Sequence, residues 1–213
     1  MIFHDRSEAG RRLSVALQNY RDARPVVLAL PRGGVPVAAE IAAALDAPLD
    51  LILVRKIGTP GQPELAMGAV VDGAALTVVR NEEVIGLTGI QPDAFEAACQ
   101  REMAEIERRR QRYFGGAARP DIAGRVAIVV DDGIATGATV KAALRATRKR
   151  KPQTLVLAVP VAPAEAIDEL RGEADEVLCL EMPHLFDAVG RFYRDFRQVS
   201  DEEVTAALAR FRL

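Results

Sequence analysis

Five short apolar runs constrain this chain more than any other feature. They are PVVLAL (25–30), LDLILV (49–54), VAIVV (126–130), TLVLAVPV (154–161) and EVLCLEM (176–182), all dense in Val, Leu and Ile. A strand with one wetted face alternates apolar and polar residues, whereas a strand covered on both faces does not. Helical patterns separate the runs at 35–45, 137–150 and 163–171, the last opened by Pro163 at a first-turn position. Strands alternating with helices of this length join through right-handed crossovers into a parallel sheet. The fold class is therefore α/β, a mostly parallel twisted sheet flanked by helices. GAVV (68–71) and ALTVV (75–79) flank Asp72-Gly73, which predicts a small antiparallel hairpin beside it.

Two segments break the rhythm. Between Pro92 and Tyr113, the residues Phe95, Cys99, Met103 and Ile106 recur every three or four positions, with Glu105 and Arg109 spaced for a helix ion pair. The run ERRRQR (107–112) within it reads as a solvated helix face. Capping patterns at Asp5/Glu8 and Ser200/Glu203 predict helices near both ends of the sequence. The 213 residues hold no repeat, linker or low-complexity tract, so one domain over 1–213 is expected, with an insertion at about 80–120.

The net charge of −2 gives no reason to expect nucleic acid. No apolar run reaches the roughly 18 residues of a membrane span. The N-terminus turns polar within four residues, unlike a secretory signal. Cys99 and Cys179 read as buried free thiols, and His4 and His184 are too few and too distant for a zinc site. A soluble cytoplasmic protein is the expectation.

In a parallel sheet, ligands gather beyond the carboxyl ends of the strands. Three such loops carry unusual residues: LPRGGV (30–35), RKIGTPGQPE (55–64) and DDGIATGAT (131–139). In the third, Gly137, Ala138 and Thr139 open a helix, whose first amides and positive end suit a phosphate monoester. Thr136 and Thr139 add hydroxyl donors. Asp131 and Asp132 would repel that phosphate, but they suit sugar hydroxyls or, through water, a magnesium ion; the alternative is a pair that caps a turn. The chain lacks G-x-x-x-x-G-K-[ST] and G-x-G-x-x-G, and Gly133 stands where an aspartyl phosphatase carries its second acid. Two prolines, two glycines and no apolar periodicity make 55–64 a candidate mobile lid.

The third loop, an apolar strand followed by Asp131-Asp132, three residues and Thr136-Gly137-Ala138-Thr139, resembles the phosphoribosyl diphosphate (PRPP) signature of type I phosphoribosyltransferases. Residues 25–161 also follow that family's order of elements. The resemblance implies the type I phosphoribosyltransferase fold, with a small hood and a helical insertion. It implies that Ala135, Thr136, Gly137, Ala138 and Thr139 hold the 5-phosphate. Asp131 and Asp132 would meet the ribose hydroxyls and Mg2+, the ion through water. Arg32, Gly33 and Gly34 would face pyrophosphate. The loop beginning Arg55-Lys56 is similar to the catalytic loop of adenine enzymes, with Glu64 a candidate acid or base. The stretch 183–199 resembles the hood of 6-oxopurine enzymes, with Phe186, Val189 and Tyr193 beside the base. Ala135 stands where many 6-oxopurine enzymes carry a third acid.

The implied reaction is transfer of the 5-phosphoribosyl group from PRPP to a nucleobase or related heterocycle, a pentosyltransferase activity of nucleotide salvage that releases pyrophosphate. The competing reading is a non-catalytic PRPP- or nucleotide-sensing protein on the same fold, and PRPP synthesis is a third. PRPP and a nucleobase-like acceptor are the expected partners, with no nucleic acid and no membrane. Several members of the family dimerise, and a homodimer is compatible with the resemblance.

Overall fold

The computed structural model describes residues 2–72 and 76–211, with the side chains of residues 63 and 64 outside the description. In chain order the elements are α1 (Arg6–Ala16), β1 (Val26–Ala29), α2 (Gly34–Leu45), β2 (Leu49–Leu51), β3 (Val54–Thr59), β4 (Gln62–Val71), β5 (Thr77–Arg80), α3 (Glu82–Thr88) and α4 (Pro92–Phe114). They continue as β6 (Val126–Val130), α5 (Ala138–Lys149), β7 (Thr154–Val161), α6 (Ala164–Leu170), β8 (Glu176–Glu181) and α7 (Asp201–Ala209).

The apolar runs form one parallel sheet in the order β2-β1-β6-β7-β8. Successive side chains of a strand point to opposite faces, and both faces are dry. Val27, Ala29, Ile128 and Val130 join a core with Leu13 of α1 and Ile41 of α2. Val26, Leu28, Ala127 and Val129 join another with Val140 and Leu144 of α5 and Ile167 of α6. Two apolar faces explain why the runs show no alternation. Asp5 caps α1 by accepting from the Glu8 amide at 2.8 Å. Ser200 and Glu203 form a reciprocal capping box at α7. Pro163 stands at the N-cap of α6, one position before its first turn.

The expected open loop is a correction. Residues 55–64 are not an open loop, because Val54–Ile57 of β3 pair in antiparallel register with Gly68–Val71 of β4. The hairpin turns at Pro60-Gly61, where Gly61 takes a φ of +79° that favours glycine. β5 adds to β4, giving a three-stranded antiparallel sheet β3-β4-β5. The hairpin flagged at Asp72-Gly73 is thus present as the β4–β5 pair, although residues 73–75 lie outside the described residues.

The 80–120 insertion is helical, as expected. Phe95, Cys99 and Ile106 of α4 pack into the first core. The arginines of 107–112 meet acids: Arg109 bonds Glu105 at 2.8 Å, Arg110 bonds Glu107 at 3.2 Å and Arg112 bonds Glu202 at 2.8 Å. Beyond α4, Arg119 is clamped between two buried carboxylates. Its Nε donates to Asp50 at 2.9 Å, one terminal nitrogen donates to Asp72 at 2.7 Å and the other to the Leu51 carbonyl at 2.6 Å. Cys99 is buried and Cys179 half-buried, both as free thiols, and burial pushes the Cys179 thiol up to about 11. No helix among the described residues is long and apolar enough to cross a membrane.

Candidate active site

The strand order reverses between β1 and β6: the chain moves from β1 to β2 on one side and from β6 to β7 on the other. Loops leaving two such strands diverge and open a crevice at their carboxyl ends. LPRGGV leaves β1 there and DDGIATGAT leaves β6, so the topology brings two of the three loops picked from sequence to one place.

Between those loops the contact is close enough to demand glycine. A Cβ on Gly33 would lie 2.0 Å from Asp132 Oδ2, and one on Gly34 would lie 2.7 Å from the Val130 carbonyl. The two glycines therefore let the loop settle onto the acid pair. The Pro31–Arg32 peptide is cis. Arg32 is turned toward the start of α7, with a guanidinium nitrogen 3.8 Å from Asp201 Oδ1.

The acid pair is held on several sides. Asp131 Oδ1 accepts the Asp132 amide at 2.8 Å. Arg6 Nε donates to Asp132 Oδ2 at 2.7 Å, and the Tyr193 hydroxyl donates to the Asp132 carbonyl at 2.6 Å. Burial, then the adjacent Asp132 carboxylate, pushes the Asp131 carboxyl well above the usual carboxylate range. A bound cation or a set of hydroxyl donors would relieve that cost.

After the pair the chain turns under the 183–199 segment. A Cβ on Gly133 would lie 2.5 Å from Val189 Cγ1. Ala135, Thr136, Ala138 and Thr139 are exposed. Gly137, at φ +75°, is the N-cap of α5, and no side chain caps that end. The first amides of a helix have no intrahelical acceptor, so this exposed turn offers donors and a positive helix end to an anion.

The Arg55-Lys56 pair is split by the pleat of β3. Arg55 faces α4, where its Nε lies 2.7 Å from Glu102 Oε2. Lys56 points the other way, into a cavity of about 490 Å³ between the small sheet and α5, which Gly68, Arg80, Thr139 and Lys141 also line. The structure thus brings Lys56, and not Arg55, to a cavity shared with Thr139, the last residue of the DDGIATGAT loop. The side chain of Glu64 lies outside the described residues.

The hood residues are mostly committed to the protein. Phe186 stacks on Phe192 at 5.5 Å between ring centroids. Tyr193 is 6% exposed, its ring set between Phe3 and Phe196. With the ring packed and the hydroxyl bonded, Tyr193 meets Asp132 rather than opening a stacking face beside the crevice. That is a correction to its reading as a base contact. Arg6 was not foreseen, since a lone arginine in the first turn of an amphipathic helix carries no local signal of a partner in the loop after β6.

A sequence model of the phosphoribosyl transferase domain matches residues 4–197. Two proteins from strains of Mycobacterium tuberculosis, provisionally named phosphoribosyl transferases, are each 47% identical over 209 residues, 98% of this chain and 47% of theirs. The chain spans about half the length of the curated relatives it matches. The crystal structure of TT1426 from Thermus thermophilus superposes with a TM-score of 0.86 at 42% identity, covering 99% of both chains.

Proposed function

The chain belongs to the phosphoribosyl transferase family, and from that premise we propose that it transfers the 5-phosphoribosyl group of PRPP to a nucleobase or related heterocycle. One observation carries the reading. At the strand-order reversal, an uncapped helix start at Gly137–Thr139 and the pair Asp131-Asp132 lie on one loop, and the Gly33-Gly34 turn rests on that pair. On this reading a phosphate subsite, a diol subsite and the half-buried Pro31–Gly33 turn follow the order in which PRPP carries its groups.

In the step itself a C1–N bond to the acceptor forms, the C1–O bond to pyrophosphate breaks, and the acceptor's ring proton leaves to solvent or a base. The amides at the start of α5 and the hydroxyls of Thr136 and Thr139 hold the 5-phosphate. Asp131 and Asp132 accept from the ribose hydroxyls and so fix C1 in the crevice. The amides of Arg32 and Gly33 receive the departing pyrophosphate, since Pro31 has no N–H and that of Gly34 is bonded to the Leu30 carbonyl, and Arg32 and Lys56 add charge when they swing toward it.

The residues present fit magnesium. Two adjacent carboxylates, one of them energetically costly as an anion, make a cation welcome. Among the described residues no cluster of three or more His, Cys, Asp or Glu could hold a metal. Magnesium characteristically takes one or two carboxylates and keeps waters and substrate phosphates for the rest. When bound, it supplies positive charge to the pyrophosphate oxygens.

The test is pyrophosphate release from PRPP with magnesium against a panel of purines, pyrimidines and related heterocycles. The expected result is release that depends on one class of acceptor and disappears in the Asp131→Asn, Asp132→Asn double variant. PRPP binding without release across the whole panel would replace catalysis with sensing, and no binding at all would remove the reading.

A further inference from the structure

Among the charges near the crevice, Arg6 is the one whose burial is hardest to explain by stability alone. Its side chain is 10% exposed, and that of Asp132 is 14% exposed. Nε donates to Asp132 Oδ2 at 2.7 Å, and a terminal nitrogen donates to the Arg197 carbonyl at 2.8 Å. The guanidinium lies over the Phe196 ring at 3.8 Å from its centroid. Replacing such a buried pair by apolar groups is often neutral or stabilising, so the arrangement is weak as a stability device. It is strong as an orienting one, because a guanidinium fixes a carboxylate in both distance and plane.

The consequence falls on the acid pair. Asp132 has its amide bonded to Asp131 Oδ1, its carbonyl to Tyr193 and its Oδ2 to Arg6. One oxygen of each carboxylate is therefore taken up inside the protein. The other oxygen of each is what the pair can offer to two neighbouring hydroxyls. Arg6 also balances one of two adjacent negative charges where a polyanionic ligand must approach.

We infer that Arg6 is a positioning residue of the site, which acts through Asp132 to orient the acid pair toward the ribose diol. This rests on the reading of the crevice as a PRPP site. It makes a ligand-specific claim. Arg6 matters for ligands that carry the sugar and is indifferent to those that lack it.

The experiment is calorimetric titration of the full chain, using PRPP and ribose 5-phosphate with magnesium and inorganic pyrophosphate without it, so that the pyrophosphate arm does not report an ion held by the acid pair. The proteins are wild type, R6M, R6Q, R6K and the control R11M, whose arginine is on the same helix and pairs only loosely with Glu40 at 3.4 Å. Losing the group that orients a ligating carboxylate typically costs about 10–100-fold. R6M should weaken PRPP and ribose 5-phosphate by that order and leave pyrophosphate within about twofold. R6K restores the charge without the planar fork and should recover only part of the loss, and R11M should match wild type. R6Q is shorter but keeps a donor at the position of Nε, so it carries the test if R6M does not fold, with a smaller loss of the same selectivity. Wild-type PRPP affinity in folded R6M or R6Q overturns the inference, as does an equal loss for pyrophosphate. Absence of PRPP binding by wild type overturns the functional reading instead.

Discussion

Replacing Arg119 by methionine tests whether the clamp behind the insertion is worth what its geometry implies. The side chains of Asp50 and Asp72 are 3% and 1% exposed, and Arg119 bonds both at under 3 Å. Methionine keeps much of the packing on Phe114, whose ring centroid lies 4.6 Å from the guanidinium carbon, and removes the charge. Breaking a buried ion pair by removing one partner costs about 3–5 kcal/mol, and Arg110, 3.5 Å from Asp72, is the cation that remains. For a chain of this size each kcal/mol moves the melting midpoint by about 2–4 °C, so R119M should melt roughly 6–20 °C below wild type. The loss should also depend on pH with a definite sign. Burial raises the Asp72 carboxyl above its ordinary 3.8, and Arg119 and Arg110 oppose that rise. A carboxyl raised in the folded state contributes stability at pH below its unfolded value and loses it as pH rises through its folded value. Removing Arg119 raises the folded value further, so the deficit is largest at neutral and alkaline pH and shrinks as pH falls toward 3.8. Urea unfolding of both proteins at about pH 5 and about pH 8 reads this directly. A midpoint within about 2 °C of wild type, or a deficit that grows toward acid, would refute the reasoning.

Three further outcomes follow from the site and its supports. In G33A the new Cβ would lie 2.0 Å from Asp132 Oδ2, forcing the carboxylate off Arg6; a loss of about 1–3 kcal/mol in urea unfolding is expected, against no measurable change in G172A, which has open space at that position. Y193F removes the donor to the Asp132 carbonyl and should cost about 1 kcal/mol in stability, with weaker PRPP binding by calorimetry. S200A dissolves the capping box of α7 and should cost about 1 kcal/mol, while PRPP affinity stays at the wild-type value.

The sheet was legible because its strands are covered on both faces, which leaves uninterrupted Val, Leu and Ile that no surface segment can afford. Asp131–Thr139 was legible for a related reason: acids and glycines after such a strand have few other uses. The 55–64 hairpin was misread because Lys56 and Gly58 share one face and Arg55, Ile57 and Thr59 the other, with bulges on either side of Gly58. That sequence carries too little apolar contrast to show a period of two, although Pro60-Gly61 was a turn signal. Arg55 and Lys56, adjacent in sequence, were given one role, and the pleat sends them to opposite faces. Tyr193 stood out as an aromatic while its structural partner is a backbone carbonyl, a contact that leaves no trace in composition. Arg6 and Arg119 were silent because a single arginine says nothing about which carboxylate of another element it meets.

The bonds around Asp132 also set an order of events. Arg6 lies 126 positions before Asp132, Tyr193 lies 61 after it, and Arg6 meets the Arg197 carbonyl across 191 positions. Such contacts carry a large loop-closure entropy and are made late in folding. During synthesis α1 precedes residues 193–197, so the guanidinium of Arg6 is enclosed only once that segment has been made. A chain halted short of that segment lacks the Tyr193 donor to Asp132 and the Arg197 carbonyl that accepts from Arg6. The enclosure of the acid pair thus depends on chain as distant as residue 197, through a few hydrogen bonds that also shape the crevice.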